Sequence, residues 1–408
     1  MTGFTAFLSA NAAFLFAGGL LAFTSSFGQT FFISIFAGQI MAEFSLSNGQ
    51  WGLIYALGTA ASAVVMLWSG ALTDRFRVRY LGLVVLLGLS AAALIMAINP
   101  WAWLLPISIF LLRLTGQGMT SHIATVAMAR WFVATRGRAL SIAGAGFSVA
   151  EALLPLLFVW AMAFAGWRSL WLIAAGFILL IVPVMHRLLR RERTPQSHAE
   201  TDNTTGMENR HWTRGQMLRH PLFWFMLPAI LGPSAFVTAL FFQQVHLAEI
   251  KGWSHVSLVA LFPVYTVIST LFMVISGWAI DRIGTARLMP FFQLPIAVGF
   301  LVMANAGGLG GAAIAFALIA ITSGANTTLP AAFWAEFYGT RNIGGIKAIA
   351  TAAMVFGSAI GPAITGLLID AGVSFPTQMA GIALWFVIAS VLLSVGLMRA
   401  RASLSQPA

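Results

Sequence analysis

Residues 66–79 read MLWSGALTDRFRVR, and residues 273–286 read MVISGWAIDRIGTA. Met66 and Met273, Ser69 and Ser276, Gly70 and Gly277, Asp74 and Asp281, and Arg75 and Arg282 all stand 207 positions apart, the difference between 74 and 281. The same separation links Ser47 to Ser254, Ser62 to Ser269 and Pro155 to Pro362. One unchanged offset held over so long a stretch marks an internal duplication. In both copies the Gly-x-x-x-Asp-Arg ends a long apolar run.

Working outward, such runs fill the chain. Of 408 residues, 59% are hydrophobic and 8% are charged, against roughly 25% charged in a soluble domain. So little charge cannot cover a water-exposed surface, so lipid must be the outer solvent. A hydrocarbon core of ~30 Å takes about 20 apolar residues per helix. Twelve such spans are expected, near 11–36, 50–72, 80–98, 101–129, 137–164, 168–188, 221–247, 256–279, 287–305, 309–335, 344–369 and 377–398. Asn99-Pro100 and Gly307-Gly308 separate the tightest pairs. Ser47 and Ser254 stand where helix N-caps would be. The 33 Phe and 14 Trp suit lipid-facing surface and interfacial belts.

Basic residues set the orientation. Arg75, Arg77 and Arg79 follow span two, Arg130, Arg136 and Arg138 follow span four, and Arg187 to Arg219 separate spans six and seven. Arg282 and Arg287, Arg341 and Lys347, and Arg399 and Arg401 fall on the same side. Arg168 and Lys251 fall on the other, and Arg113 is inside a span. Both termini are therefore expected in the cytoplasm. The first ten residues carry no Lys or Arg, so no cleavable signal is expected. Residues 1–188 and 221–408 read as two six-helix bundles in parallel orientation. Residues 189–220 read as a charged cytoplasmic linker, with a short amphipathic helix around Trp212 to Leu218.

The repeated Gly-x-x-x-Asp-Arg resembles the signature loop of the major facilitator superfamily, and the resemblance covers nearly the whole chain. Arg77 replaces a usual Gly in the first copy; the second, Gly277 through Gly284, fits well. Arg113-Leu114-Thr115-Gly116-Gln117-Gly118 resembles the family's span-four motif. The resemblance implies an all-α membrane fold: twelve transmembrane helices in two pseudo-symmetric six-helix bundles. In that arrangement the substrate site lies near the midplane, where the repeats meet. Trp131-Phe132, Arg136 through Leu140, Gly144-x-Gly146-x-Ser148 and Pro155 are similar to the monocarboxylate and oxalate–formate carrier branch. The branch's acidic residue in span one and Arg in span eight are absent here. By this resemblance Gly70, Asp74, Arg75, Gly277, Asp281 and Arg282 form a conformational latch. Independently, a carboxylate past a helix end beside several arginines can pair with them and with helix N-terminal amides.

Two ionisable residues fall deep within spans. Arg113 lies ~17 Å into span four and Glu151 ~20 Å into span five at 1.5 Å per residue. An unpaired charge at that depth costs at least ~2.5–3.5 kcal/mol. They face a wet cavity, or they pair, or Glu151 is protonated. On the functional reading Arg113 anchors an anionic substrate and Glu151 carries the coupled proton. On the structural reading the two form a permanent ion pair between spans. Gln29, His122, Asn326 and Gln243 are further candidates for substrate contact, and each also suits an interhelical hydrogen bond.

The expected function is alternating-access secondary transport, as proton-coupled symport of a small organic anion such as a monocarboxylate. A proton-driven antiporter exporting drugs or metabolites, and a non-transporting membrane sensor, are the alternatives. An enzyme is not expected: there is no Cys, no His-Glu-x-x-His and no phosphate-binding Gly loop before a Lys. No metal or cofactor is expected. The net charge of +11 reads as a basic cytoplasmic face, without nucleic acid as partner. The expected partners are a small-molecule substrate, protons and the lipid bilayer, around a monomer in a bacterial inner (plasma) membrane.

Overall fold

The computed structural model describes residues 2–70, 72–132, 136–190, 205–339 and 341–400, without the side chains of 2–6, 74, 75, 129, 130, 136, 137, 344 and 348. Within these residues the regular secondary structure is helical. The first half comprises α1 (Thr2–Ser25), α2 (Thr30–Ile33), α3 (Ala37–Phe44), α4 (Asn48–Ser69), α5 (Leu72–Arg75), α6 (Val78–Ile98), α7 (Leu105–Leu112), a π-helix (Arg113–Thr120), α8 (Ser121–Trp131), α9 (Arg136–Ala161) and α10 (Trp167–Leu188). The second comprises α11 (Arg214–Arg219), α12 (Pro221–Phe242), α13 (Gln244–Lys251), α14 (His255–Val259), α15 (Phe262–Ile283), α16 (Thr285–Leu288), α17 (Leu294–Asn305), α18 (Leu309–Tyr338), α19 (Ile343–Asp370) and α20 (Phe375–Ala400).

The chain divides into two compact units, Met1–Ala199 and Glu200–Ala408. Within the first, α1 packs on α9, α4 on α7, and α6 on α10. Within the second, α12 packs on α19, α15 on α18, and α17 on α20. The pairing order is the same in both: first span with fifth, second with fourth, third with sixth. The 207-residue offset therefore has a counterpart in how each unit is packed internally.

Local chemistry starts the helices. Ser47 and Gln50 form a reciprocal capping box at α4, with Gln50 N–H donating to Ser47 Oγ at 3.1 Å. Ser254 Oγ accepts from Ser257 N–H at 3.1 Å and caps α14. Away from the helix contacts the surface is apolar, with Phe164 75%, Leu180 70% and Trp68 69% exposed. In water such a face would drive association; in a bilayer it is the solvent-matched face.

Among the described residues, eleven helical stretches are long and apolar enough to cross a membrane. The expected ninth span, 287–305, is interrupted. Pro290 lies within a run of turns, Pro295 stands in the first turn of α17, and α17 retains twelve residues. The freed backbone groups are satisfied by side chains. Thr322 Oγ1 accepts from Ile296 N–H at 3.1 Å and donates to the Phe292 carbonyl at 2.8 Å. In the linker stretch, the short helix expected around Trp212 to Leu218 is α11, Arg214–Arg219. Residues 191–204, with the basic residues among them, lie outside the described residues. From Gly206 onward the segment is packed into the second unit, with Met207, Trp212 and Met217 all buried.

In each unit a cation caps the end of the third span. Arg168 Nη1 donates to the Ala97 carbonyl at 2.8 Å. Lys251 Nζ donates to the Ala304 carbonyl at 2.7 Å and to Ala306 at 3.0 Å. Ala97 and Ala304 are themselves 207 apart, yet the cations come from different elements, α10 and α13. A cation at a helix C-terminus offsets the macrodipole. Arg168 also binds Glu43 at 2.6 Å, and Trp167 Nε1 donates to the same carboxylate at 2.8 Å. These contacts tie the start of α10 to the end of α3, beyond the first span. The hydrogen bond from Arg168 holds the Glu43 carboxyl below the usual carboxylate range, against an opposing push from burial. The folded form thus favours the carboxylate. Its contribution is present above the ordinary carboxylate pKa and fades as pH falls through the lowered value. Both partners are partly exposed, so Glu43→Gln should cost no more than ~1 kcal/mol at neutral pH. Melting curves should show the wild type and variant converging in acid.

Candidate functional site

The first span does not run through. Thr24 Oγ1 donates to the Leu20 carbonyl at 2.6 Å and Ser25 Oγ to Ala22 at 2.7 Å. Such side-chain bonds compete with the helical ladder. A short 3₁₀ turn follows at Ser26–Gly28, and Gln29 is extended at φ −87° and ψ 154°. The expected continuous span 11–36 is therefore corrected to a helix, a break and shorter helical pieces. Phe32 restarts the packing, 5.0 Å from Phe27, 4.9 Å from Phe158 and 5.3 Å from Trp171 between ring centres.

Against this break lies the π-helix Arg113–Thr120. Thr120 Oγ1 donates to the Thr115 carbonyl at 2.6 Å, and Thr115 Oγ1 donates to Leu111 at 2.6 Å. π-Helical turns often mark functional positions. Here the widened turn meets the break backbone to backbone. A Cβ on Gly28 would lie 2.2 Å from the Leu112 carbonyl oxygen, and one on Gly116 would lie 2.7 Å from Gly28 Cα. Both glycines are demanded by this crossing.

Arg113 projects from the π-helix into the break and is 2% exposed. Its Nη1 is 3.3 Å from Thr30 Oγ1 and makes a long contact, 3.5 Å, to the Gly28 carbonyl. The guanidinium carbon is 5.4 Å from the centre of the Tyr55 ring. Tyr55 and Thr30 share a short hydroxyl–hydroxyl hydrogen bond, and Ser34 Oγ donates to the Thr30 carbonyl at 2.7 Å. Among the described residues Arg113 Nε and the buried Ser26 Oγ have no hydrogen-bond partner. The partners of Arg113 among the described residues are a carbonyl, a hydroxyl and an aromatic face, without a carboxylate. This arrangement can order the broken span, and it leaves one buried N–H available to an acceptor.

The other expected site residues are placed as follows. Glu151 is half-buried on α9, five residues past the point where α9 touches α1 through Gly146 and Gly19. Gln29 is half-buried at the break. His122 stands apart from Arg113's partners, with Nε2 3.4 Å from Thr73 Oγ1 at the Gly70 loop. In the second unit Asn326 is half-buried on α18. Gln243 is buried, and its Nε2 donates to Thr365 Oγ1 at 3.4 Å, tying α12 to α19. The side chains of Asp74 and Arg75 lie outside the described residues. Asp281 and Arg282 are exposed, and Arg282 sits 5.3 Å from the centre of the Trp278 ring. A Cβ on Gly277 would meet nothing within 4 Å among the described residues. Close packing is therefore not what this glycine supplies here.

Tyr55 and Thr30 were not among the expected site residues. The hydroxyl-rich Thr24-Ser25-Ser26-Phe27-Gly28 inside an apolar run was the available signal for the break. Nothing local marks Tyr55, which becomes visible only through Arg113. Among the described residues no three His, Asp or Glu side chains come together in a way that could hold a metal ion.

No curated protein matches the chain in sequence. Solved structures do. A bacterial homologue of the human lysosomal transporter Spinster, inward-facing and unoccupied, is 17% identical, with a TM-score of 0.73 over 98% of this chain and 99% of that one. The same homologue in an inward-facing occupied form is 16% identical, with a TM-score of 0.70 over 97% and 98%. The nucleoside transporter NupG is 14% identical, with a TM-score of 0.68 over 95% and 99%. At these identities the likeness is one of fold. Residues 18–309 match the model of the Major Facilitator Superfamily, and the chain belongs to that superfamily of integral membrane transporters.

Proposed function

We propose that the chain is a secondary active transporter that moves a small organic anion, such as a monocarboxylate, together with a proton. The observation that carries this reading is Arg113, a buried cation whose partners among the described residues include no carboxylate. A charge held at that depth is costly without an opposite one. A substrate carboxylate supplies the opposite charge when it arrives and removes it when it leaves. Glu151, half-buried on α9, is the proposed proton carrier. In this reading it accepts a proton with the substrate and releases it afterwards. The repeated Gly-x-x-x-Asp-Arg loops are proposed as the latch that exchanges states, with both termini in the cytoplasm.

Purified protein in liposomes tests this reading. An inward acid gradient should drive accumulation of a radiolabelled monocarboxylate. Loss of a charge-assisted hydrogen bond is worth ~1.5–3 kcal/mol, so Arg113→Gln should lower uptake by about tenfold or more. Glu151→Gln should flatten the pH dependence while leaving exchange of preloaded substrate measurable. Expulsion in place of accumulation would establish the antiporter. An unchanged pH profile in Glu151→Gln would sink the proton assignment.

A further inference from the structure

The second unit has a cavity of about 470 Å³ beside Lys251, at the turns that end α13, α17 and α19 and begin α20. It is distant in sequence from Arg113 and belongs to the other unit. Its walls are fixed by hydrogen bonds. Gly252, at φ +67°, ends α13, and Trp253 N–H returns to the Ala248 carbonyl at 2.9 Å. Gly372, at φ +86°, turns the chain from α19 toward α20, where the positive φ favours glycine. The buried Gln378 braces that turn, its Nε2 donating to Val373 at 2.9 Å and to Thr365 at 3.2 Å. The cavity is thus preformed, and its size lies in the range of small-molecule pockets.

The lining has two characters. Ile250, Ile369, Val373, Phe375 and Pro376 make an apolar floor. Lys251, His246 and Ser374 supply the polar edge. Burial pulls His246 below the usual histidine range, against an opposing effect of Glu249. Lys251 carries the permanent positive charge on the lining, two residues after Glu249. Two of the three ammonium donors are held by the Ala304 and Ala306 carbonyls. The third remains, on an ammonium whose position the other two have fixed. The start of α20, at Phe375, brings a helix N-terminus to the rim, where the C-termini of α13, α17 and α19 also end, so Lys251 is the cationic group on which an anion would rest.

We propose that this cavity binds a small amphipathic anion, with its anionic head on Lys251 and its apolar body on the Ile250–Val373 floor. The head group can belong to a free aromatic or branched monocarboxylate or to an anionic lipid; both present the same chemistry to Lys251. This site stands independently of the transport reading, because binding there is measured without flux.

The test uses the full-length protein in nanodiscs of zwitterionic phosphatidylcholine, with benzoate as probe and benzyl alcohol as its uncharged counterpart. Benzoate should stabilise the wild type in a saturable way, and benzyl alcohol should not. Lys251→Met should weaken benzoate binding about tenfold or more. Val373→Trp fills the cavity without touching the Lys251 contacts, and it should abolish binding at an unchanged melting temperature. Repeating the series in Arg113→Gln separates this site from the one in the first unit. If phosphatidylglycerol in the nanodisc competes with benzoate in the wild type but not in Lys251→Met, the native head group is lipid. If benzoate binds Lys251→Met and Val373→Trp as tightly as the wild type, the proposal is overturned.

Discussion

Valine at Gly146 or at Gly361 should lower the melting temperature by several degrees or more, while alanine at Gly144 should leave it unchanged. A Cβ on Gly146 would stand 2.1 Å from the Gly19 carbonyl oxygen and 3.0 Å from Gly19 Cα. A Cβ on Gly361 would stand 2.1 Å from the Ala235 carbonyl oxygen and 3.0 Å from Ala235 Cα. In both places the obstacle is backbone, so no rotamer change can relieve it. One helix must move away from the other, and the α1–α9 or α12–α19 seam opens along its length. Overpacked cores usually lose 1–3 kcal/mol, occasionally more; a backbone collision belongs at about the upper end or beyond. For a unit of this size, 3 kcal/mol corresponds to a fall of roughly 6–12 °C in melting temperature. Gly144 is the internal control, because a Cβ there meets nothing within 4 Å among the described residues. Thermal unfolding in detergent separates the outcomes. Equal melting temperatures for Gly144→Ala and Gly146→Val would mean that the seam is not packed as described. Because the two seams pair the same spans of the two units, similar losses at Gly146 and Gly361 would also show that the duplication is energetic as well as geometric.

Some of this architecture is legible in the residues and some is not, for physical reasons. Spans are legible because burial in lipid demands long apolar runs and little else does. Ser47 and Ser254 are legible as caps because capping is local, needing only a hydroxyl and an amide three residues on. The duplication is legible because its copies kept both residue type and spacing. The break after Ser25 is not, because hydropathy continues through it and the alternative hydrogen bonds of Thr24 and Ser25 stay within one turn. The π-turn at Arg113–Thr120 depends on the Gly28–Gly116 crossing, a contact between distant segments. The interrupted ninth span follows the same logic. Pro290 and Pro295 announce trouble, but only Thr322 on α18 shows how the freed groups are satisfied. Of the candidate site, Arg113 is legible because a charge within an apolar run is anomalous wherever it points. Tyr55 is not, because an aromatic residue in a span is ordinary until a guanidinium lies over it.

Trp212→Ala should destabilise the second unit by ~3–5 kcal/mol, the loss typical of a large buried aromatic side chain. The surrounding segment is polar in composition, yet Trp212 is 4% exposed. Its backbone N–H donates to the Tyr338 carbonyl at 3.0 Å, and its Nε1 donates to the Met207 carbonyl at 3.1 Å. Asn342 Nδ2 donates to the Trp212 carbonyl at 3.1 Å. Rings of His220 and Tyr338 lie edge-on at 4.9 and 5.7 Å, and the Arg210 guanidinium covers the indole at 4.0 Å. Gly206 lets the chain pass close to the end of α18, since a Cβ there would be 2.5 Å from the Phe337 carbonyl oxygen. The segment is therefore a built-in cap on the α18 and α19 ends. Removing the indole leaves a cavity and one unmet backbone acceptor, the Met207 carbonyl. Trp212→Phe keeps most of the apolar contact and loses the Nε1 bond, so about 1 kcal/mol is expected. A second readout comes from His220, whose pKa burial lowers, with Glu208 raising it and Arg210 lowering it. A folded-state value below the unfolded one means that stability is complete above the ordinary histidine range. It declines as pH falls through that range toward the lowered value. In Trp212→Ala the imidazole is more open to water, and that decline should shrink. Limited proteolysis gives the third readout, with cleavage between Gly206 and His220 appearing in the alanine variant at temperatures where the wild type resists. If Trp212→Ala melts with the wild type and stays protease-resistant, the segment lies on the unit without contributing to its stability, and the cap assignment fails.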